Sequence, residues 1–223
     1  MTEERFLHEL KRSHHNGELT RADLDSDVVL MGWVQNRRDH GGVIFVDLRD
    51  LEGITQVVFN PQVNQEAHKF ADQLRSEFCL AIKGKVSLRP EGMRNEKLKT
   101  GEIEILTTHF EIFNASQTPP FEIEDDCTTN ESVRLEYRYL DLRRGRAKGP
   151  LLQRAKLNRL IRSYLDERKF FELETPILTK STPEGARDYL VPSRVHPGEA
   201  YALPQSPQLF KQLFMIAGFE RYY

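Results

Sequence analysis

The stretch QNRRDHGGVIFVDLRDLEGITQVVF, residues 35–59, decides how the first half of the chain folds. It opens on a basic patch, Arg37, Arg38 and His40, beside Gly41 and Gly42. Residues 43–48 then alternate and are rich in β-branched side chains, the pattern of a half-buried strand. Arg49-Asp50-Leu51-Glu52-Gly53 reads as a turn, with Gly53 free to take a positive φ. Residues 54–59 form the next strand, and Pro61 ends it. A local basic surface therefore sits on a hairpin, in a chain whose formal net charge is only −2.

Working outward, residues 27–35 are apolar-rich, carry the only tryptophan, Trp33, and read as a strand. Val63, Ala67, Phe70, Ala71 and Leu74 fall at helical spacing, so 63–74 reads as an amphipathic helix. Residues 78–88 return to strand. RPEGMRNEKLKTG (89–101) is a polar loop, and 102–113 alternates again through Ile103, Ile105, Phe110 and Ile112. Three strands, a helix and two strands is the element order of an OB-fold, a five-stranded Greek-key barrel that binds oligonucleotides on one sheet face and its loops. Arg38, Phe45, Gln56 and Glu104 are expected on that exposed face. A phenyl ring stacks bases, and the other three offer donors and acceptors to unstacked base edges. The plain alternatives are that Phe45 belongs to the barrel core and that Arg38 only holds a loop.

Bulk composition narrows the classes. The 223 residues are 39% hydrophobic and 30% charged, ordinary for a globular protein. No apolar run approaches the ~18–20 residues of a membrane span, and the N-terminus MTEERFLHELKRSHH lacks the apolar region of a secretory signal. Cys79 and Cys127 form no CxxC and read as reduced thiols, so the expected compartment is the cytoplasm. No HExxH and no zinc spacing occurs among the seven histidines, so no metal ligand is assigned; the His14-His15 pair lies in a polar loop. GxxxxGK[ST] and GxGxxG are absent, so a P-loop or Rossmann reading lacks its phosphate cradle.

Charge also divides the chain. Residues 114–132 hold five acids and no Lys or Arg, include Pro119-Pro120, and read as a linker. Residues 134–169 then hold twelve basic residues against four acids. That segment is either a solvated helix face or a surface for a polyanion. Within it, 133–142 can make a short helix, Gly145, Gly149 and Pro150 punctuate, and 151–168 is a long helix with an apolar stripe. FFELETP follows as a strand, with Pro176 restricting Thr175 to extended geometry.

Three long motifs carry a resemblance: LEYRYLDLRR (135–144), FFELETPILTKSTPEGARDYLVPSR (170–194) and YALPQSPQLFKQLFMIAGFERYY (201–223). With GWVQNRRDHGGVIFVDLRD near the start, they resemble the bacterial-type aspartyl-tRNA synthetases, class II enzymes, from about Arg12 to Tyr223. The resemblance implies an α+β chain in three parts. Residues 1–113 would be an OB-fold anticodon-binding domain, 114–132 a linker, and 133–223 the first part of an antiparallel-sheet catalytic domain. Motif 1 would span about 151–176, with Pro176 at a homodimer interface. Arg38, Phe45, Gln56 and Glu104 match the family's anticodon contacts. Glu184, in the loop STPEGARD, would meet the aspartate ammonium group. Gln208 and Lys211, three apart on one helix face, would bind the aspartate, with the lysine on its side-chain carboxylate; Ser206 is a weaker member and the expected N-cap. On structural grounds alone, Glu184 could cap a turn and Lys211 could be merely exposed. His40 and Gly92 look like the forms that charge tRNA-Asn as well as tRNA-Asp.

In the family, aspartate attacks the α-phosphate of ATP, giving aspartyl-adenylate and pyrophosphate, and the tRNA 3′-end then takes the acyl group. ATP and Mg²⁺ are thereby implied, but the arginines of motifs 2 and 3 that hold ATP come later than residue 223, so no catalytic residue is assigned here. The other readings are a non-catalytic OB-type RNA-binding module and a related synthetase for asparagine or lysine. Residues 151–223 alone are expected to leave Leu213, Phe214, Ile216 and Phe219 partly uncovered. A polypeptide of these 223 residues is predicted to show no aspartate-dependent pyrophosphate exchange, and measurable exchange would refute that.

Overall fold

The computed structural model describes residues 11–182 and 187–223. The chain divides into two compact units, the first running to Arg144 and the second Gly145–Tyr223.

The first unit is a closed barrel of five strands: β1 (Asp27–His40), β2 (Val43–Arg49), β3 (Ile54–Phe59), β4 (Cys79–Leu88) and β5 (Ile103–Asn114). Around the barrel the order is β1-β2-β3-β5-β4, with β3 and β5 parallel and every other pair antiparallel. Alternation sets the two faces. In β2, Ile44, Val46 and Leu48 turn inward and are at most 1% exposed. They pack with Leu30, Val34, Val57, Phe59, Leu80, Ile82, Ile103 and Ile105 in one core. Phe45 and Asp47 therefore stand on the outer face. Phe45 is half-buried and outside that core, so the core alternative for it does not hold.

Strand β1 runs five residues past the expected end at Gln35, through Arg37 and Arg38 to His40. The reason is the turn. Gly41 and Gly42 both have positive φ, +60° and +80°, which a two-residue hairpin of matching twist requires. His40 pairs with Val43 and Arg38 with Phe45. The strand's far end is exposed, so it shows no apolar alternation to read.

The expected helix at 63–74 is shorter, α1 (Gln65–Ala71), because Asn64 caps it by accepting from Ala67 N at 2.9 Å. Ala67, Ala71 and Leu74 join the core, whereas Val63 and Phe70 are exposed. The turn after β2 is held by Asp50, 8% exposed. Its carboxylate accepts from the backbone N–H groups of Asn16, Glu52 and Gly53 at 2.9, 2.9 and 3.2 Å and lies 3.0 Å from His15 Nδ1. Burial pushes the Asp50 carboxyl up, but these hydrogen bonds outweigh burial and hold it below the usual range.

Residues after β5 have little regular structure, yet Phe121 and Ile123 are buried at 6% and 9% exposure. The helix expected over 133–142 is two pieces, α2 (Glu131–Glu136) and α3 (Arg138–Asp141), broken where Tyr137 leaves helical geometry at φ −103°, ψ 45°. Asp141, 1% exposed, sits among Arg134, Arg138 and Arg144.

In the second unit, α4 (Gly145–Glu167) runs straight through Gly149 and Pro150, which the sequence suggests as breaks. Pro150 is the sixth residue of the helix, so its missing N–H removes a bond from the helix's second turn only, and a long helix absorbs that. Lys169 closes the helix in left-handed geometry, φ +62°, with Phe170 N donating to Leu165 O and Lys169 N to Asp166 O. FFELETP is not a full strand. Only residues 171–173 pair, in parallel, with 221–223. A short antiparallel pair, β6 (Tyr189–Pro192) and β7 (Ala200–Leu203), precedes α5 (Gln208–Ile216). Phe171, Phe214, Phe219 and Tyr222 pack edge to face. As expected, Leu213 and Ile216 are left uncovered, at 57% and 82% exposure.

Asp50→Asn is predicted to destabilise the first unit by about 1–3 kcal/mol at neutral pH, measured by urea unfolding. The depressed carboxyl stabilises above its unfolded value and loses that contribution as pH falls through its lower folded value. The gap between wild type and variant should therefore close in acid; a constant gap would assign the loss to shape alone.

Candidate nucleic-acid interface

Four outer-face positions meet across four strands. The pairing of Asp47 with Gln56 places both side chains on one face of β2 and β3, and Arg38 reaches them from β1. Arg38 Nη2 donates to Asp47 Oδ1 at 2.8 Å and to Gln56 Oε1 at 3.3 Å. Gln56 Nε2 in turn donates to Glu104 Oε2, on β5, at 2.9 Å. Phe45, the strand partner of Arg38, borders this chain of bonds. The four residues expected on the face thus stand together, but not all as exposed groups. Gln56 and Glu104 are only 7% exposed, while Arg38 is open to solvent. Gln56 is bonded on one side to Arg38 and on the other to Glu104, which also lies near the Arg89 charge.

The electrostatics follow from that burial. Burial raises the Glu104 carboxyl above its ordinary range, and the Gln56 hydrogen bond and the Arg89 charge offset this only in part. Burial likewise lowers the Arg89 guanidinium, against the pull of Glu104 and Asp47. Arg89 Nε donates to Ile103 O at 3.1 Å, and its buried Nη2 has no protein partner. The face therefore presents a guanidinium and a ring at its rim, and a desolvated carboxylate, amide and unpaired guanidinium nitrogen behind them. Such a surface can exchange its internal hydrogen bonds for those of unstacked bases.

Asp47 and Arg89 complete the cluster and were not among the sequence candidates. Asp47 was legible in principle, two residues past Phe45 in VIFVDLR. Arg89 lies just past β4, and no local pattern points to it. His40 stands exposed at the end of β1, and Gly92 lies in the 89–102 loop with φ +79° and open space where a Cβ would stand.

In the second unit, Gln208 and Lys211 lie in the first turn of α5 and, with Gln212, Met215, Ile216 and Tyr222, line a shallow pocket of about 390 Å³. Tyr222 Oη donates to Lys211 O at 3.1 Å. Ser206 does not cap this helix; the cap position is Pro207, which offers no side-chain acceptor, and Ser206 is exposed. Pro176 is exposed. Glu184 lies outside the described residues. Among the described residues no group of three or more His, Cys, Asp or Glu could hold a metal ion, so nothing here is assigned to Mg²⁺. No helix among them is long and apolar enough to cross a membrane.

Comparison with known proteins fits both halves. Residues 28–113 match the family model of the OB-fold nucleic acid binding domain, and residues 130–223 match that of the class II tRNA synthetases (D, K and N). The chain is 57% identical, over 98% of its length, to the aspartate–tRNA(Asp/Asn) ligase of Desulfatibacillum aliphaticivorans and covers 36% of that protein. It is 60% identical, over 96% of its length, to the like-named ligase of Desulfotalea psychrophila and covers 35% of it. The chain thus spans about a third of the length of these relatives. The asparaginyl-tRNA synthetase of Pyrococcus horikoshii, solved with asparaginyl-adenylate, shares the fold at a TM-score of 0.80 and 24% identity, over 96% of this chain and 46% of that one. Both family models in chain order and this level of identity make the chain similar, over nearly all of its length, to about a third of the length of the aspartate–tRNA(Asp/Asn) ligases, with an OB-fold nucleic acid binding domain followed by part of a class II tRNA synthetase domain.

Proposed function

We propose that the protein is an aspartate–tRNA ligase of the cytoplasm. It activates L-aspartate with ATP and transfers it to tRNA-Asp and to tRNA-Asn, working as a homodimer. The observation that carries this is the near-complete match of the chain to aspartate–tRNA(Asp/Asn) ligases, 57% over 98% of its residues. ATP would supply the adenylyl group, with pyrophosphate leaving, and Mg²⁺ would neutralise the phosphate charge; the residues of this chain are assigned only to the two other substrates.

The anticodon is read by the barrel face. Phe45 stacks a base, Arg38 donates to one, and Gln56 and Glu104 meet base edges once their mutual bond at 2.9 Å opens. Preformed bonds among these groups hold the site in shape without RNA. His40 and Gly92, an imidazole on the hairpin and a glycine in the 89–102 loop, support acceptance of a second anticodon, as do the names of the relatives. At the other site, the Lys211 ammonium answers the side-chain carboxylate of aspartate, Gln208 supplies a hydrogen bond, Glu184 faces the α-ammonium, and Ser206 borders them. Pro176 contributes to the dimer contact.

Two measurements on the intact gene product test this. Aspartate-dependent pyrophosphate exchange is expected, together with charging of unmodified tRNA-Asp and tRNA-Asn transcripts. Binding of tRNA without exchange would leave an RNA-binding protein, and an uncharged tRNA-Asn would remove the second acceptor. Glu104→Gln separates recognition from stability. The buried carboxyl disfavours its own ionised form, so wild-type stability falls as pH rises through the raised value of Glu104. Near pH 7 the variant is expected to be at least as stable as wild type, yet to bind tRNA about tenfold or more weakly. A less stable variant with unchanged tRNA affinity would make Glu104 a structural group.

A further inference from the structure

Glu77 carries a feature that neither the barrel core nor either substrate site uses. It is 4% exposed and lies just before β4, in left-handed backbone at φ +64°, a conformation that glycine or asparagine adopts more easily. Its N–H donates to Val34 O at 2.7 Å, next to the bulge of β1 between Val34 and Asn36. Its carboxylate takes two guanidinium groups. Arg49 Nη2, at the end of β2, donates to Oε1 and Oε2 at 2.7 and 2.9 Å, and Arg143 donates to Oε2. The Arg143 guanidinium also lies 4.9 Å from the centroid of the Trp33 ring.

Arg143 is the penultimate residue of the first unit. The RYLDLRR segment it belongs to is tied a second time through Asp141 and through Arg144, which donates to Asp141 Oδ1 at 2.7 Å and to Asp125 O at 3.1 Å. A buried ion pair is weak evidence for stability, since apolar replacements often serve as well. A strained, buried residue that joins β2 to the chain's exit from the barrel calls for another role.

We infer that Glu77 is a positioning residue: by holding Arg143 to Arg49, it fixes where the chain leaves the anticodon-reading barrel. This rests on the proposed ligase function, because only a reaction using both ends of one tRNA needs that exit fixed. The transfer step depends on it and aspartate activation does not.

The test uses Glu77→Gln and Glu77→Gly in the intact gene product; the glycine suits the left-handed backbone, so it isolates loss of the carboxylate from misfolding. Amides of residues 138–144 are expected to exchange with solvent about tenfold or more faster in both variants, while those of Leu30, Ile82 and Ile105 stay protected. The kcat/KM for tRNA charging is expected to fall roughly tenfold, with pyrophosphate exchange changed less than about twofold. Adding Arg143→Leu to Glu77→Gly should cost little more, since both break one link. Unchanged protection of 138–144 overturns the proposal. So does release of the segment with charging intact, or with charging and activation lost in parallel. A wild-type protein without aspartate activation would sink the ligase reading and this role with it, and the exchange data would then describe a structural tie alone.

Discussion

Closure of the barrel through the parallel pairing of β3 with β5 is the constraint on which the first unit depends. An open five-stranded sheet would leave edge N–H and C=O groups unpaired. Bringing residues 57–58 beside 105–106 joins the two antiparallel halves and seals one apolar interior. It also brings Gln56 to Glu104, 48 residues away, and so makes the polar cluster of the outer face a product of closure.

That cluster sits in tension with stability. Core positions of β2 and β3 are filled by Ile44, Val46, Leu48, Val57 and Phe59, each at most 1% exposed. Directly across the sheet, the barrel buries a carboxylate whose ionisation burial opposes and a guanidinium nitrogen without a partner. A protein selected for stability alone would place apolar or fully satisfied groups there. In the proposed function, bound RNA would supply the missing partners.

The second unit has a different balance. None of the residues of α4 is buried, and Leu152, Leu160, Ile161 and Tyr164 are all substantially exposed. Its helix forms because 23 residues with few breakers sustain their own hydrogen bonds, and because the left-handed Lys169 closes its last turn. Its aromatic cluster of Phe171, Phe214, Phe219 and Tyr222 gives a small core beside large uncovered apolar surface.

Local pattern in the sequence determined the order of the barrel's elements, the alternation over 43–48, the turn after β2 and the family motifs, because alternation, helical spacing and turn chemistry act within a few residues. Grouping Arg38, Phe45, Gln56 and Glu104 needed the resemblance as well. Tertiary structure alone decided that Gln56 and Glu104 are buried and bonded, that Asp47 and Arg89 belong with them, and that Glu77 joins Arg49 to Arg143. It also carried the helix through Pro150 and left Ser206 uncapping. The physical reason is range. These side-chain contacts link residues from 9 to 66 positions apart, and only a closed barrel sets which of them meet and how much water they lose.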